Sequence, residues 1–531
     1  MIKFSSMALL AFFSVGVHAQ VKDLAWSVKK IEWSASDEKS FQEFVRGIGR
    51  AKEKRLCSTT ENCIKNKDAN PMFVNRNPQG LSIFSDCADL PHVLRGYFAW
   101  MNDLPFSFPT GVGKASSQET KPDIRYSTYG NKIISRRSVK TGDNVNTIVK
   151  LIANSINSAM FRVPTKFDVD NNNVFNDFYP IKISRTSLTP GTVFYDPNGH
   201  VLVVYDVAED GRVFMIDAHP DNSLTRQVYD EKKFIVSSPN YGAGFKKWRP
   251  VSVAGGVTTP VRNNMIPDFS EIEYYGNGGG VTDANWKQRK FIFNGETITF
   301  GEYVRRSLAS GNLKYHPVVE VQEALASLCD DFRDRAKAVS DAVTSGVSKK
   351  PHPVKLPENI YGTHGEWESY STPSRDARFK ASMLSLKEMV ETLLMKFRNR
   401  DPMIDYTGND LIGEIRKAYV ERSTACTVAY TNSKGAPVTL NLDQVISRAF
   451  QLSFDPYHCP ELRWGATGNE LASCTDDANK RSWYTAQQNL RNAIDRNYDI
   501  RMDKTLQELP GSGLGADKAA QVSLRPIILA Q

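Results

Sequence analysis

The chain has 531 residues, of which 40% are hydrophobic and 24% are charged, and its formal net charge is +8. This composition is typical of a globular protein, and the length predicts two or three domains. The positive charge is spread along the chain without a Lys/Arg block interleaved with aromatic residues, which argues against nucleic acid as a partner. We interpret it as ordinary solubility charge, with an anionic partner such as cell-wall polymer or membrane headgroups as the weaker alternative.

The first 19 residues have the layout of a secretory signal peptide. Lys3 precedes an apolar run that starts at Met7, and small or apolar residues lead up to Ala19. We therefore expect residues 1–19 to be removed and the mature chain to begin at Gln20 in an oxidising compartment, periplasmic or extracellular. The apolar run is too short to span a bilayer, and no later stretch approaches ~20 uninterrupted apolar residues, so no membrane span is predicted.

The seven cysteines are an odd number, which leaves one thiol unpaired if the others form disulfides. Six cysteines allow about fifteen pairings, so the connectivity rests on proximity and on neighbouring patterns. These favour three disulfides: Cys57 with Cys63, Cys459 with Cys474, and Cys329 with Cys426. We predict that Cys87 is the unpaired thiol, and an unpaired thiol in a secreted protein is either reactive or an intermolecular link.

Cys87 stands where a helix is predicted to begin. Apolar residues recur at helical spacing from Leu90 to Met101, so one helix face is expected to be buried. At a helix N-terminus, unpaired N–H groups and the helix dipole favour a thiolate, which makes a cysteine nucleophilic. Pro91 leaves the Cys87 carbonyl without a helical partner, so either the first turn is distorted or the regular helix begins near Asp89. The alternative is a small buried cysteine without chemistry.

A β-hairpin is predicted around an Asp-Gly turn, with His200 at the start of its first strand. If the loop is residues 208–211, position 202 faces position 217, and Asp217 becomes the diagonal neighbour of His200 on one face. A carboxylate at that distance can orient an imidazole. A histidine, a neighbouring carboxylate and the unpaired Cys87 together predict nucleophilic catalysis.

These motifs resemble, in order, those of the NlpC-like papain-fold cysteine peptidases of bacterial cell walls. The matching stretches are Asp86-Cys87-Ala88-x-Leu90, Leu104-Pro105, Pro190-Gly-Thr-Val-Phe-Tyr195 and Gly199-His200-Val-x-Val-Val-Tyr205. The resemblance covers about residues 73–249. It implies a papain-like fold with a cysteine nucleophile, a histidine base and a third polar residue, which here are Cys87, His200 and Asp217. His219 is the alternative third residue, because the predicted hairpin places it directly opposite His200.

The chain departs from the family pattern in two places. Ala88 stands where the family usually has serine, and the long separation of Cys87 from His200 indicates an insertion over residues 107–179. The reaction also needs donors for the developing oxyanion. The backbone N–H of Cys87 is one, and the side-chain amide of Gln79 is a candidate for the other, although a plain loop glutamine is an equal alternative.

We predict an α+β protein in which a papain-like domain of residues 20–255 precedes a loop-rich connector of residues 256–317. Residues 318–531 are expected to form a mostly α-helical domain stapled by disulfides. Its predicted helices cover 318–343, 378–398, 411–422, 442–454 and 480–498. Residues 361–376 are dense in functional side chains and are expected to extend the cleft, to bind a partner, or to be a packed interface loop.

The sequence predicts no metal and no cofactor, since His364 and Glu366 lack the spacing of a zinc motif. We expect a secreted or periplasmic cysteine amidase or peptidase that acts on peptidoglycan or a related peptide. Two alternatives stay open. One is a catalytically inactive papain-fold scaffold protein of the cell envelope, and the other is a thiol acyltransferase that uses the same residues.

Overall fold

A six-stranded antiparallel sheet lies at the centre of the N-terminal half. Its neighbouring strands are, in order, Phe178–Pro180, Gly244–Trp248, Val193–Asp196, His200–Val207, Val213–Ala218 and Leu224–Val228. The computed structural model describes residues 21–76, 78–170, 174–234, 238–254, 257–361, 365–496 and 500–529. The strands are β1 (Ser107–Lys114), β2 (Asn131–Ser138), β3 (Phe178–Pro180), β4 (Val193–Asp196), β5 (His200–Val207), β6 (Val213–Ala218), β7 (Leu224–Val228), β8 (Gly244–Trp248), β9 (Val251–Ala254), β10 (Val257–Pro260), β11 (Phe291–Phe293), β12 (Glu296–Ile298), β13 (Thr427–Thr431) and β14 (Pro437–Asn441).

Helices surround this sheet and make up most of the C-terminal half, so the protein is of mixed α and β structure, as expected. They are α1 (Ala35–Glu53), α2 (Thr60–Lys65), α3 (Pro71–Arg76), α4 (Leu90–Met101), α5 (Val145–Ser155), α6 (Ile272–Tyr275), α7 (Phe300–Leu308), α8 (Pro317–Thr344), α9 (Glu366–Tyr370), α10 (Pro373–Arg398), α11 (Leu411–Ala425), α12 (Leu442–Ser447), α13 (Pro460–Arg463), α14 (Gly468–Leu471), α15 (Ala478–Ala486), α16 (Gln488–Asn492) and α17 (Arg525–Ile528). The described helices include none that is long and apolar enough to cross a membrane. The signal peptide expected at residues 1–19 lies outside the described residues.

Both faces of the central sheet are buried, which explains why its strands read as continuous apolar runs. Alternate residues of a strand point to opposite faces. In β5, Val201 and Val203 belong to the core that contains α1, α4 and α5, whereas Leu202 and Val204 belong to the core that contains α7. The two cores hold the sheet, and α4 with it, in a fixed position.

The described parts of the segment 107–179, expected to be an insertion, pack into the same core as α4. Phe108, Ile148 and Phe161 are all buried there, and β3 at the end of this segment pairs with β8 at the edge of the sheet. Residues 257–317 of the expected connector include β10, the β11–β12 hairpin, α6 and α7. Phe300 and Val304 of α7 belong to the core on the face of the sheet that carries Leu202 and Val204.

The C-terminal half packs against the sheet through α8, which contacts β7. The structure contains α8, α10 and α11 close to the predicted ranges, but two predicted helices were too long. The helix predicted over 442–454 ends at Ser447 and does not continue to residue 454, because the backbone of Ser453 is bonded elsewhere. Its N–H donates to the Leu462 carbonyl, and its carbonyl accepts hydrogen bonds from Arg335 and Arg463. The predicted 480–498 helix is divided into α15 and α16 at Gln487.

All three predicted disulfides are present, and Cys87 is unpaired. The Cys329–Cys426 bond joins α8 to the end of α11, so it links two helices that form one core. Its cysteines are 97 positions apart, whereas those of Cys459–Cys474 are 15 apart and those of Cys57–Cys63 are 6 apart.

We expect the three disulfides to differ in how much they stabilise the protein. In the chain-entropy model, a longer closed loop removes more freedom from the unfolded chain, so Cys329→Ala/Cys426→Ala should lower the free energy of unfolding by about 4–5 kcal/mol and Cys459→Ala/Cys474→Ala by about 3 kcal/mol. Cys57→Ala/Cys63→Ala is the short-loop control and should cost the least. Denaturant unfolding without reductant measures all three, and a reversed order would contradict the prediction.

Candidate active site

Cys87 lies in the turn that opens α4. Asp86 caps this turn: its Oδ1 accepts hydrogen bonds from the backbone N–H groups of Ala88 and Asp89. In return, Asp89 Oδ1 accepts the backbone N–H of Asp86 at 2.8 Å, which completes a reciprocal capping box. The regular helix begins at Leu90, after Cys87, which is one of the two outcomes expected from the proline that follows.

The capping box leaves the backbone N–H of Cys87 available. It has no hydrogen-bond acceptor among the described residues, because Asp86 takes the two N–H groups that follow it. An unpaired N–H at a helix N-terminus can donate a hydrogen bond to a negatively charged atom and so stabilises the charge. This backbone group can therefore stabilise charge on an atom bound at the Cys87 thiol.

His200 begins β5, and the hairpin register brings Asp217 to it. Val203 pairs with Ile216, which is the predicted register. The loop is one residue longer than predicted, and a β-bulge between Val204 and Asp206 compensates for the extra residue. His200 Nε2 lies 2.5 Å from Asp217 Oδ2. The diagonal pair predicted from the sequence is thus a direct hydrogen bond.

Asp217 is itself held by its neighbours on β7. Thr225 is its partner in the β6–β7 ladder, and the Thr225 hydroxyl donates to Asp217 Oδ1. His219 Nε2 lies 3.6 Å from Asp217 Oδ2 and 3.3 Å from Thr225 Oγ1, and its ring stacks on that of His200 with centroids 5.9 Å apart. Both carboxylate oxygens of Asp217 are engaged, so its orientation toward His200 is fixed.

Cys87 and His200 line one cavity of about 200 Å³, together with His219. Cys87 is half-buried, and Asp217 is fully buried and does not line the cavity. Gln79 lies in an exposed turn and is not among the described residues of the cavity wall. The structure therefore brings together Cys87, His200, Asp217 and His219 but does not bring Gln79 to them.

The electrostatics of the site favour a neutral thiol and a neutral imidazole at rest. Burial and the nearby Asp86 carboxylate raise the pKa of Cys87, although the backbone N–H of Val201 opposes this. Burial and the positive charge of Arg378 lower the pKa of His200. Burial and Asp86 raise the pKa of Asp89 to about 9, so Asp89 is protonated at neutral pH. Burial also raises the pKa of Asp86, but the backbone N–H groups of Asp89 and Ala88 oppose this rise, and it is the Asp86 carboxylate that acts on the thiol.

The pKa values of the other two groups also follow from burial and charge. Burial alone would raise the pKa of Asp217, but His219 and the hydrogen bond with His200 hold it below its ordinary value. Burial and Arg375 lower the pKa of His219 to about 3. Asp217 is therefore an anion and His219 a neutral ring throughout the neutral pH range.

The cavity has two walls that the sequence motifs did not identify. Arg125 and Asn157 come from the segment expected to be an insertion, and no local pattern indicates that they reach Cys87. The other wall is formed by residues of the C-terminal half, including Trp367, Glu368 and Arg375. These lie within residues 361–376, for which an extension of the cleft was one expectation, while His364 lies outside the described residues.

The described residues include one group with the ligand types of a metal site, formed by Cys459, Glu461 and Cys474. The two sulfur atoms are bonded to each other in a disulfide. A metal ligand must be a thiolate, so this group does not fit a metal ion as it stands.

Comparison of the chain with protein-family models, with curated proteins and with solved structures finds no match.

We expect Asp86→Asn to make Cys87 more reactive. Asparagine caps a helix as well as aspartate does but carries no charge, so the pKa of the thiol should fall. Alkylation by iodoacetamide near pH 7 should then be roughly tenfold faster, because the thiolate is the reacting species. Mass spectrometry of Cys87 over a range of pH measures the change.

Asp410→Asn is the matched control, since Asp410 caps α11 in the same way, with its side chain accepting the N–H of Gly413. It changes the net charge equally and should leave the alkylation profile of Cys87 unaltered. An unchanged profile in Asp86→Asn would show that this carboxylate does not control the thiol.

Proposed function

We propose that this protein is a secreted or periplasmic cysteine hydrolase that cleaves an amide bond in cell-wall peptides by a Cys87–His200–Asp217 mechanism. The observation that carries the proposal is the shared cavity of Cys87 and His200, with His200 oriented by the buried Asp217 carboxylate. Nucleophile, base and orienting group in this order are the signature of covalent acyl transfer. The cell-wall substrate is supported by the resemblance to NlpC-like peptidases.

The arrangement of the elements supports a papain-like domain. The cysteine precedes a helix, α4, that packs against the β5 strand of an antiparallel sheet, and the histidine is the first residue of that strand. The carboxylate comes from β6, the next strand. The cysteine helix thus packs on the sheet that carries the base and its orienting group, as the family resemblance implies.

In the proposed first step, His200 removes the proton from Cys87 Sγ. The hydrogen bond to Asp217 uses Nε2, which leaves Nδ1 as the proton acceptor. The thiolate attacks the amide carbonyl, a C–S bond forms, and the oxygen becomes an anion that the Cys87 backbone N–H stabilises. Collapse of this intermediate breaks the C–N bond, and the protonated His200 gives its proton to the leaving amine.

In the second step, water attacks the thioester and His200 accepts one of its protons. The C–S bond breaks, the thiolate regains the proton from His200, and a carboxylic acid is released. Asp217 stabilises the imidazolium that forms in each step, since it is an anion bonded to the ring. An amine in place of water would give acyl transfer with the same residues.

We expect the purified mature protein to release peptides from peptidoglycan and Cys87→Ala or His200→Ala to abolish the release, because each removes a group that no neighbour replaces. Liquid chromatography with mass spectrometry detects the products, and reaction in H₂¹⁸O separates hydrolysis, which places ¹⁸O in the new carboxyl group, from transfer to an amine. His316→Ala is the matched control, since the side chain of His316 is about half exposed and lies outside the cavity.

Two results of this assay would contradict the proposal. Full activity of the Cys87→Ala protein would refute the mechanism. A folded wild-type protein that releases nothing from peptidoglycan or related peptide amides would instead favour an inactive scaffold of the cell envelope.

We expect Asp217→Ala to lower kcat by more than ~100-fold, the scale of a positioned acid–base partner, while the protein stays folded. His219→Ala should lower kcat less, because the His219 ring is neutral and lies beyond hydrogen-bond distance of Asp217. Steady-state kinetics of both variants, with their melting temperatures, decide between them. A folded and nearly fully active Asp217→Ala enzyme would make His219 the third residue.

A further inference from the structure

The wall of the cavity that comes from the C-terminal half carries two cationic side chains. Arg375 and Arg378 belong to the start of α10, and both line the cavity that contains the Cys87 thiol. Arg378 is buried, with 8% of its surface exposed, and Arg375 is half-buried. Their charge reaches the proposed catalytic groups, since Arg378 lowers the pKa of His200 and Arg375 lowers that of His219.

The guanidinium group of Arg375 has no hydrogen bond or ion pair with any residue that the structure describes. The acidic groups on the cavity wall are engaged elsewhere: Glu368 lies 3.7 Å from Arg125, and Asp86 caps the turn of Cys87. The buried Arg335, in contrast, is paired with Asp376. Arg375 thus lines the cavity as a cation without a counter-charge among the described residues.

The position of Arg375 does not serve the stability of its helix. It lies in the first turn of α10, whose positive dipole end disfavours a cation. The backbone N–H groups of this turn add to the positive potential that Arg375 and Arg378 direct into the cavity. A guanidinium group is suited to bind a carboxylate, since its N–H donors match the two oxygen atoms.

We propose that Arg375, supported by Arg378, binds a free carboxylate of the substrate, so that the preferred substrates are peptides with a carboxylate close to the amide bond that is cleaved. The inference rests on the proposed function and names the substrate class of the same site. One cavity of about 200 Å³ contains both Cys87 and Arg375, so the carboxylate belongs to the residue cleaved or to its immediate neighbour. Arg375 acts here in binding and specificity.

The first test uses two small probes of Cys87 that differ only in charge. In iodoacetate and iodoacetamide alike, the thiolate forms a C–S bond and iodide leaves, but only iodoacetate carries a carboxylate. We expect the rate ratio of iodoacetate to iodoacetamide, normalised to free N-acetylcysteine, to fall about tenfold in Arg375→Gln, the scale of one charged hydrogen bond. Cys87 is the unpaired cysteine, so mass spectrometry assigns the product to it.

Two variants control this measurement. Arg398→Gln removes a charge from the last turn of the same helix and should leave the rate ratio unchanged. Arg375→Lys keeps the positive charge and should keep most of the wild-type rate ratio. A fall of less than threefold in Arg375→Gln overturns the proposal. If Arg375→Gln does not fold, the wild-type rate ratio is measured at about 0.05 M and at about 1 M NaCl, since salt screens a charge open to solvent. A threefold fall of the ratio at high salt supports the proposal, and a constant ratio overturns it.

The second test uses cell-wall peptides with free carboxyl groups and the same peptides with those groups converted to carboxamides. One series is amidated only at the C-terminus and another only at acidic side chains, which distinguishes the two sources of the carboxylate. For the wild type, we expect kcat/KM to be about tenfold lower for the amidated peptides of one series than for the same peptides with free carboxyl groups. Arg375→Gln should cleave the amidated and free forms with similar kcat/KM. Equal kcat/KM for all forms overturns the substrate class. If no peptide is cleaved, the hydrolase proposal fails, while the alkylation ratio still decides whether Arg375 binds an anion.

Discussion

The candidate site depends on the pairing of β5 with β6. This pairing places His200 and Asp217 on neighbouring strands at a separation that one hydrogen bond spans, 2.5 Å from nitrogen to oxygen. The β-bulge between Val204 and Asp206 keeps the register at the His200 end, and a slip of one residue would turn Asp217 to the opposite face of the sheet. Both faces of the sheet are buried, so the surrounding cores resist such a slip.

The charges around Cys87 act in opposite directions. The helix dipole and the unpaired backbone N–H favour a thiolate, whereas burial and the Asp86 carboxylate favour the thiol, and the latter effects are larger. Burial, with the charge of Arg378, lowers the pKa of His200 and keeps its ring neutral. The resting pair is therefore uncharged. An anionic substrate group that offsets the charge of Arg375 and Arg378 would make protonation of His200 easier, which couples substrate binding to activation of the thiol.

The C-terminal half completes the site and does more than stabilise the protein. Its helix α8 packs against β7, and α10 begins at the cavity and supplies the cationic wall. Buried pairs such as Arg335 with Asp376 fix the first turn of α10 against the helices around it. The position of Arg375 is thus set by contacts far from Cys87 in the sequence, and the cleft exists only when both halves are folded together.

The sequence by itself determined the local features: the helix after Cys87, the hairpin with His200 and Asp217, and the odd number of cysteines, which leaves one thiol unpaired. Each follows from short-range periodicity, turn residues or counting, which need no knowledge of the rest of the chain. Only the tertiary structure decided the walls of the cleft. Arg125 and Arg375 come from distant segments, and the backbone of Ser453, predicted to be helical, is instead bonded to Leu462 and to two buried arginines. Such contacts depend on how separate elements pack, and local pattern carries no information about that.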